Sequence, residues 1–370
     1  MAEPTPVRLV FLCNAPAVPA GVEKTVLTLV DTLDPGRFDV RLVLNGRGPF
    51  HRALLERNAD VEVIPHTRAY DPRWRRELRA SLERRPADVV QLHLSRLNAL
   101  LIKRHTSAAV VERLNMTRHG HGLYPLRWKW LDRFTARWID RFIVVSESLK
   151  SQFVERGYPP EKLEVVTNGV DVPANPPPSP LREELGIAAD QPLLGAVGRL
   201  THQKGMDTFL RTAGHIAQNR PDAHFVIAGE GEERRRLERL AAELGVAQTT
   251  HFLGFRKDVP AVLSGLDVLL YLSRWEPFAN TILEAMAVGT PVVASSVGGN
   301  AEAIQDEVSG RLVPPEAPEE AATAAVALLG DPKRRAGIAE RGLERVRDFS
   351  VARMVEGHQH VYQRLAAAPR

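Results

Sequence analysis

Short apolar runs rich in β-branched residues alternate with longer helical stretches along the chain, and this alternation constrains the fold more than any other feature. Runs such as VRLVFL (7–12) and DVLLYLS (267–273) are almost continuously apolar, as expected for parallel strands buried on both faces. The alternation stops once, at VDVPANPPPSP (170–180), where the prolines disfavour both helix and central strand. The sequence therefore predicts an α/β protein with two Rossmann-like, doubly wound domains joined by a linker at 170–180.

The predicted architecture also indicates where a ligand would bind. In doubly wound sheets, ligands bind beyond the carboxyl ends of the strands, in the loops that follow them. The two domains are expected to face each other across a cleft, so the loops after the strands are the first place to look for chemistry.

Composition excludes several classes of protein. The chain has 370 residues, 25% of them charged, and one cysteine, Cys13, so no intramolecular disulfide is possible and a reducing cytosol is the expected location. No apolar run approaches the ~18 residues that a membrane span needs. Residues 1–180 hold 27 Lys+Arg against 20 Asp+Glu, whereas residues 181–370 hold 22 against 25. A basic first half is typical of proteins that bind phosphates or anionic lipid, and equally of a solvated arginine-rich surface.

A basic, aromatic segment at 124–141 leaves two interpretations open. Trp130, Phe134 and Trp138 recur at helical spacing among arginines. This pattern is typical of a helix that lies on an anionic membrane, and equally of a core helix with a basic solvated face. In the first case the helix would lie on the inner face of the membrane. The basic half contains no recognisable nucleic-acid-binding motif, so nucleic acid is not a predicted partner.

Several predicted strands are followed by residues suited to an anion or a hydroxyl. In GAVGRLTHQKG, Arg199 and Lys204 lie in a loop after an apolar strand and are suited to a diphosphate. Gly229 lies at a strand-to-helix turn, where a glycine lets a ligand approach the backbone or simply permits a tight turn. His93 ends another strand and is suited to bind a substrate hydroxyl or to relay a proton.

The stretch SRWEPFANTILEAMAVGTPVVAS (273–295) predicts a helix that starts near Pro277, since proline suits a first helical position. The backbone amides of Phe278, Ala279 and Asn280 would then lack helical partners and point at an anion. Two carboxylates in this stretch, Glu276 and Glu284, are suited to bind pairs of hydroxyls, as on a sugar or a ribose.

Taken together, these motifs resemble a retaining glycosyltransferase of the GT-B type, family 4, also called glycosyltransferase group 1. The resemblance covers the whole chain and rests on GRLTHQKG, AGEGEE, HFLGFRKDVP, EPFANTILEAMAVGTPVVAS and VGGNAEAI, in family order and spacing. TNGVD and VVSESLKSQF match in the first half, and FSVARMVEGHQHVYQRL matches the C-terminal helix that crosses back to the first domain.

The resemblance implies a role for each domain. The first, at 1–170 with the helix at about 350–370, would bind the acceptor. The second, at 181–349, would bind a sugar nucleotide such as a UDP-, GDP- or ADP-sugar. No cofactor is implied beyond this donor, and the acceptor would be a hydroxyl of unknown identity.

The resemblance also assigns roles to single residues. Glu276 would bind the donor sugar, Glu284 the ribose, and Arg199 and Lys204 the diphosphate. His93 would contact the sugar near the reacting carbon.

Two glycines complete the implied site. Gly21 would lie near the phosphates, and the loop that contains Gly254 would contact the base. No metal ligand is implied, because the sequence lacks an Asp-x-Asp pair.

Two other functions stay open on the sequence alone. One is a non-catalytic, sugar-nucleotide-binding regulatory subunit, although the chain keeps the charged residues that catalysis would use. The other is a glycoside hydrolase that uses Glu276 and Glu284 as acid and base, which would leave the phosphate-binding residues unexplained.

Overall fold

The computed structural model describes residues 5–14, 21–65, 71–93, 97–114 and 133–368. No helix among these residues is both long enough and apolar enough to cross a membrane.

Contacts divide the chain into two compact units. Unit 1 comprises Met1–Thr167 and Val351–Arg370, and unit 2 comprises Asn168–Ser350.

Unit 1 contains a seven-stranded parallel sheet in the order β3-β2-β1-β4-β5-β6-β7. Its strands are β1 Val7–Cys13, β2 Phe38–Leu44, β3 Asp60–Val63, β4 Val89–Leu92, β5 Ala109–Leu114, β6 Arg141–Val144 and β7 Leu163–Val165. Its helices include Gly21–Thr32, Pro49–Leu55, Pro72–Arg84, Leu97–His105, Glu147–Glu155 and Val351–Ala367, with a short 3-10 turn at Pro160–Lys162.

The C-terminal helix of unit 1, Val351–Ala367, packs against β1 and β4. Its apolar side chains, among them Val361 and Leu365, join a core with Phe11 of β1 and Val89 of β4. The inner strands β1, β4, β5 and β6 are almost entirely buried, as the continuous apolar runs predicted, whereas the edge strand β3 has no fully buried residue. This packing places the buried face of the C-terminal helix over the central strands of the sheet.

Unit 2 contains a six-stranded parallel sheet in the order β10-β9-β8-β11-β12-β13. Its strands are β8 Leu193–Val197, β9 His224–Ala228, β10 Thr250–Gly254, β11 Val268–Tyr271, β12 Val292–Ser295 and β13 Arg311–Val313. Its helices are Leu181–Leu185, Met206–Asn219, Arg234–Glu243, Val259–Ser264, Asn280–Ala287, Asn300–Ala303, Pro318–Gly330 and Pro332–Arg345, with 3-10 turns at His202–Lys204 and Val346–Phe349.

These two sheets confirm the predicted fold class of two doubly wound, parallel-sheet domains. The proline-rich segment 170–180 contains no helix or extended strand. It is nevertheless anchored within unit 2, because Val170 forms an isolated bridge with Ser350 and Ser264 donates a hydrogen bond to the carbonyl of Pro177 over 2.7 Å.

The predicted basic helix at 124–141 lies mostly outside the described residues. Within them, residues 133–136 are helical and β6 begins at Arg141. The two interpretations of this segment therefore stay as the sequence left them.

Candidate functional site

Three polar side chains meet at the carboxyl ends of β8 and β11, two neighbouring strands in the middle of the unit 2 sheet. Lys204 ends the 3-10 turn that follows β8, and Tyr271 is the last residue of β11. The Lys204 Nζ lies 2.6 Å from Glu276 Oε2 and 2.6 Å from the Tyr271 hydroxyl, which donates to the same carboxylate over 2.9 Å. We call Lys204, Tyr271 and Glu276 the lysine cluster.

The lysine cluster is an ion pair in a largely dry environment. The side chains of Lys204 and Glu276 are 14% and 8% exposed, and Tyr271 is buried. Burial alone would lower the pKa of Lys204, but Tyr271 and Glu276 outweigh it and raise that pKa, so the ammonium stays charged. Burial and the neighbouring Glu276 raise the pKa of Tyr271, so its phenol stays neutral and donates to the carboxylate.

Backbone packing holds Glu276 in place. The amide of Gly299 donates to the Glu276 carbonyl over 3.2 Å, and a methyl group at Gly298 would lie 1.8 Å from that oxygen. Gly298 also has φ +49°, a conformation that favours glycine. The VGGN motif therefore allows the backbone of 298–299 to pack directly on the segment that carries Glu276.

A second ion pair fixes the loop before Glu276. Arg274 makes two hydrogen bonds of 2.8 Å to Asp207, at the start of the helix Met206–Asn219. Gln203, next to Lys204, donates from its side chain to the Trp275 carbonyl over 3.1 Å. The residues on both sides of Lys204 are therefore tied to the segment that leads into Glu276.

The helix after Glu276 begins later than the sequence predicted. It spans Asn280–Ala287, and Ala279 is still in an extended conformation, so the predicted start near Pro277 is wrong by three residues. Packing explains the difference, because Phe278 is buried against Phe349 with ring centroids 5.5 Å apart.

The backbone roles predicted for this segment are affected in different ways. Asn280 is the first helical residue, and its side-chain oxygen accepts a hydrogen bond from Asn168 of the TNGVD motif over 2.7 Å. Phe278 and Ala279 precede the helix, so their amides are not those of a first helical turn. Contact between the amides of Phe278, Ala279 and Asn280 and an anion stays a prediction.

The structure does not bring every predicted site residue into the lysine cluster. Glu284 lies in the second turn of its helix and is partly buried. Arg199 follows β8 and is exposed, and within the described chain its guanidinium makes no hydrogen bond or ion pair with another residue.

The predicted glycines occupy different settings. A methyl group at Gly229 would lie 1.9 Å from the Gly198 carbonyl oxygen, so packing within the protein already requires a glycine there. Gly254 ends β10, where the strand register shifts. Gly21 is the first residue of its helix, and the preceding residues 15–20 lie outside the described ones.

His93 lies in unit 1, at the end of β4, within a second group of polar side chains. Gln91 Nε2 lies 2.8 Å from His93 Nε2, and the Tyr362 hydroxyl donates to Gln91 Oε1 over 2.6 Å. Arg113 Nη1 lies 2.5 Å from His358 Nε2, whose Nδ1 lies 2.8 Å from the Met354 carbonyl oxygen. We call Gln91, His93, Arg113, His358 and Tyr362 the histidine network.

Sequence reasoning missed most members of these two groups. Tyr271 looked like one more apolar residue of a buried strand. A usable signal was present in VVQLHL, where Gln91 and His93 alternate and so share one face of the strand. His358 and Tyr362 are four apart on one helix and also share a face, but nothing in the sequence showed that the two faces meet.

Comparison with known proteins identifies the family. The family model for glycosyl transferases group 1 matches residues 179–345, and that for glycosyltransferase family 4 matches residues 19–173. The alpha-maltose-1-phosphate synthase of Mycolicibacterium smegmatis is 32% identical over 284 residues, which cover 67% of this chain and 72% of that protein. An uncharacterized glycosyltransferase of Methanocaldococcus jannaschii is 38% identical over 202 residues, which span 51% of this chain and only half of that relative.

Solved structures agree on the fold. Anabaena HepE, crystallised in complex with UDP, superposes with a TM-score of 0.84 at 22% identity, covering 97% of this chain and all of that one. The family models, the sequence relatives and the two parallel sheets lead to one conclusion: the chain belongs to the group 1/family 4 glycosyltransferases and has the GT-B fold.

Proposed function

We propose that this glycosyltransferase moves a hexose, with retention of anomeric configuration, from a nucleoside-diphosphate sugar to a hydroxyl acceptor. The observation that carries the proposal is the contact of 2.6 Å between Lys204 and Glu276 at the carboxyl ends of β8 and β11. An ammonium suited to a phosphate and a carboxylate suited to sugar hydroxyls here lie side by side.

Donor binding would exchange the partners of the lysine cluster. The diphosphate supplies the negative charge that Glu276 now gives to Lys204, and the carboxylate is then available to hydroxyls of the sugar. Burial strengthens both interactions, because charges attract more strongly where water is excluded.

Charge stabilisation in the transition state follows from the same arrangement. Negative charge grows on the diphosphate as the glycosidic bond breaks, and fixed cations act most strongly where that charge develops. We assign this role to Lys204 and Arg199, with backbone amides of the segment 278–280. The exposed guanidinium of Arg199 makes no competing ion pair among the described residues, so it needs no exchange of partner.

The remaining assignments follow the family resemblance. Glu284 binds the ribose, and His93 contacts the sugar near the reacting carbon. Anabaena HepE was crystallised with UDP and with UDP-glucose, which supports a nucleoside-diphosphate sugar as donor class here. The base, the sugar and the acceptor define the specificity, and an experiment must identify them.

A donor screen tests the proposal. Thermal shifts with UDP, GDP, ADP and their hexose sugars identify the donor, and NMR of the product gives its anomeric configuration. We expect one nucleotide to stabilise the protein clearly and the product to keep the donor configuration. An inverted product overturns the proposed retention. Nucleotide binding without turnover over a broad acceptor panel would instead support a regulatory subunit.

The proposal also assigns the neutralisation of the diphosphate to the protein rather than to a divalent metal. We expect turnover with the identified donor to persist in excess EDTA. Activity that disappears with EDTA and returns with magnesium or manganese would show that a metal ion shares the charge that we assign to Lys204 and Arg199.

A further inference from the structure

Three members of the histidine network project from one face of the unit 1 sheet. Gln91 and His93 alternate along β4, and Arg113 of β5 lies two residues beyond Val111, the register partner of Gln91. The C-terminal helix covers this face and contributes His358 and Tyr362. Gln91, Tyr362 and His358 are fully buried, so each of their polar atoms needs a hydrogen-bond partner.

The buried Tyr362 hydroxyl fixes the orientation of the Gln91 amide. Gln91 is the one hydrogen-bond partner of this hydroxyl in the described chain, and the O–H proton needs an acceptor. Gln91 must therefore present Oε1 to Tyr362, which turns its NH2 group towards His93. A rotated amide would leave the buried O–H of Tyr362 without an acceptor.

The amide in turn fixes the protonation of His93. An NH2 group only donates, so His93 Nε2 must accept with its lone pair. A neutral imidazole that accepts at Nε2 carries its proton at Nδ1.

We propose that Gln91 and Tyr362 are positioning residues that hold His93 as the neutral Nδ1–H tautomer, so that His93 acts on the substrate as a hydrogen-bond donor and not as a base. The structural part rests on the contacts of the histidine network, and the substrate part rests on the proposed function. No proton leaves or enters His93 in this role.

The second branch of the histidine network supports this assignment. Arg113 can only donate, and the Met354 carbonyl can only accept, so His358 is also neutral, with its proton at Nδ1. Burial and the nearby Arg113 cation lower the pKa of His93 and of His358. An added proton on either ring would therefore meet both a donor group and a positive charge.

One alternative for His93 is thereby excluded. A general base needs a lone pair within reach of the proton that it removes. With Nε2 engaged by Gln91 and Nδ1 already protonated, His93 has no lone pair for a substrate. Of the two roles that the sequence left open for His93, the structure therefore favours hydroxyl binding over a proton relay.

NMR of protein labelled with 15N-histidine tests the proposal without any substrate. The His93 signal is assigned by its loss in His93→Asn. We expect the wild-type ring to show a protonated Nδ1 and an unprotonated Nε2, without titration between pH 5.5 and 8. A protonated Nε2, or a ring that titrates in this range, overturns the proposal.

Two substitutions change the network in different ways. Gln91→Glu keeps the shape but presents an acceptor to His93, so it should move the proton to Nε2 or make the ring cationic. Tyr362→Phe removes the hydroxyl that orients the amide, so it should give a mixture of tautomers. Gln248→Glu, at an exposed position of unit 2, controls for the change of charge.

Kinetics with the donor found in the screen provide the second readout. Loss of a correctly placed donor should lower kcat roughly tenfold in Gln91→Glu and less in Tyr362→Phe, with the affinity for free nucleotide and the activity of Gln248→Glu unchanged. If a changed tautomer leaves kcat as in wild type, His93 does not act through Nδ1–H. If wild-type protein transfers no sugar, the proposed function fails while the NMR result still decides the tautomer. Should either variant misfold, the wild-type spectrum alone remains decisive.

Discussion

The lysine cluster of unit 2 and the histidine network of unit 1 bury polar groups at the ends of central strands in opposite ways. In the lysine cluster, a full positive and a full negative charge neutralise each other. In the histidine network, Arg113 is the one charged member, and the other side chains interact as neutral groups. An ion pair can exchange one partner for a charged ligand, whereas a network of mostly neutral groups holds one geometry and one protonation state.

This difference indicates how each group responds to its surroundings. The lysine cluster should respond to an anion, because the diphosphate offers Lys204 a replacement for Glu276. The histidine network should respond to acid, because protonation of a ring would place a donor against a donor. Substitutions in the two groups should therefore produce effects of different kind and size.

The largest effect is expected from Lys204→Ala. Removing a charge-assisted contact to a developing anion typically costs about 3 kcal/mol, or roughly a hundredfold in rate, so kcat/KM for the donor should fall by at least that factor. Removal of one partner also leaves the Glu276 carboxylate buried with only the Tyr271 hydroxyl on that oxygen. Steady-state kinetics measure the loss, and Lys333→Ala, at an exposed position outside the segments given a binding role, is the control.

The same variant separates binding from folding. Circular dichroism and thermal melts should show a folded protein whose stabilisation by free nucleotide diphosphate is reduced. A folded Lys204→Ala protein with unchanged nucleotide affinity and turnover would show that the ion pair is structural and that the diphosphate binds elsewhere.

The two glutamates should differ in which affinity they control. Glu284→Gln should weaken the binding of free nucleotide diphosphate by about 1.5–3 kcal/mol, because its proposed partners are the ribose hydroxyls and a hydrogen bond to a charged group contributes roughly this much. Glu276→Gln should leave nucleotide affinity nearly intact and lower kcat, because its proposed partner is the sugar. Calorimetry with free nucleotide and kinetics with the donor provide the two measurements. Equal losses of nucleotide affinity in both variants contradict the assignment.

The histidine network predicts a loss of stability in mild acid. Burial and the Arg113 cation lower the pKa of His358 in the folded protein, so the unfolded chain binds more protons than the folded chain below about pH 6.5. The free energy of unfolding should therefore fall on acidification, by up to ~1.4 kcal/mol per pH unit for this one histidine. His358→Gln, which still offers an acceptor to Arg113, should reduce this dependence between pH 7 and 5, and the part contributed by His93 should remain.

A control on the same helix makes this measurement specific. His360 is exposed, so His360→Gln should keep the wild-type dependence of the free energy of unfolding on pH. Urea unfolding at each pH measures this free energy. The carboxylate of Asp207, whose pKa Arg274 holds below its usual range against the opposing effect of burial, contributes only at lower pH. A wild-type slope in His358→Gln would mean that His358 is not the group that resists protonation.

Much of this molecule could be predicted from the sequence because the relevant signals are local. Continuous apolar runs predicted both parallel sheets, because a strand that is buried on both faces can be recognised from its own residues. Lys204 and Glu276 were predicted as site residues because each follows a strand, although their direct contact was not foreseen. The start of the helix at Asn280 was missed because the packing of Phe278 against Phe349 overrides the local preference of Pro277.

What the sequence could not reveal are contacts between residues far apart in the chain. Arg113 and His358 are separated by 245 positions, and Gln91 and Tyr362 by 271. Each looks ordinary in its own segment, and only the packing of the C-terminal helix on β1 and β4 brings them together. Tyr271 differs, because its partner Glu276 is five residues away, but a tyrosine in an apolar strand reads as core.

The smallest effect is expected from Tyr271→Phe. The substitution keeps the aromatic ring and removes only the hydroxyl that accepts from Lys204 and donates to Glu276. The direct Lys204–Glu276 contact remains, so the loss should resemble that of one ordinary hydrogen bond, about 1 kcal/mol or roughly fivefold in kcat/KM. Tyr158→Phe, a buried tyrosine of unit 1 outside both groups, controls for the removal of a phenol hydroxyl.

A loss as large as that of Lys204→Ala would mean that the Tyr271 hydroxyl itself contacts the donor. Unchanged kinetics would mean that the ion pair orients itself without the phenol. The expected intermediate result places Tyr271 behind the charged pair, as the neutral group that holds the carboxylate while Lys204 exchanges it for the diphosphate.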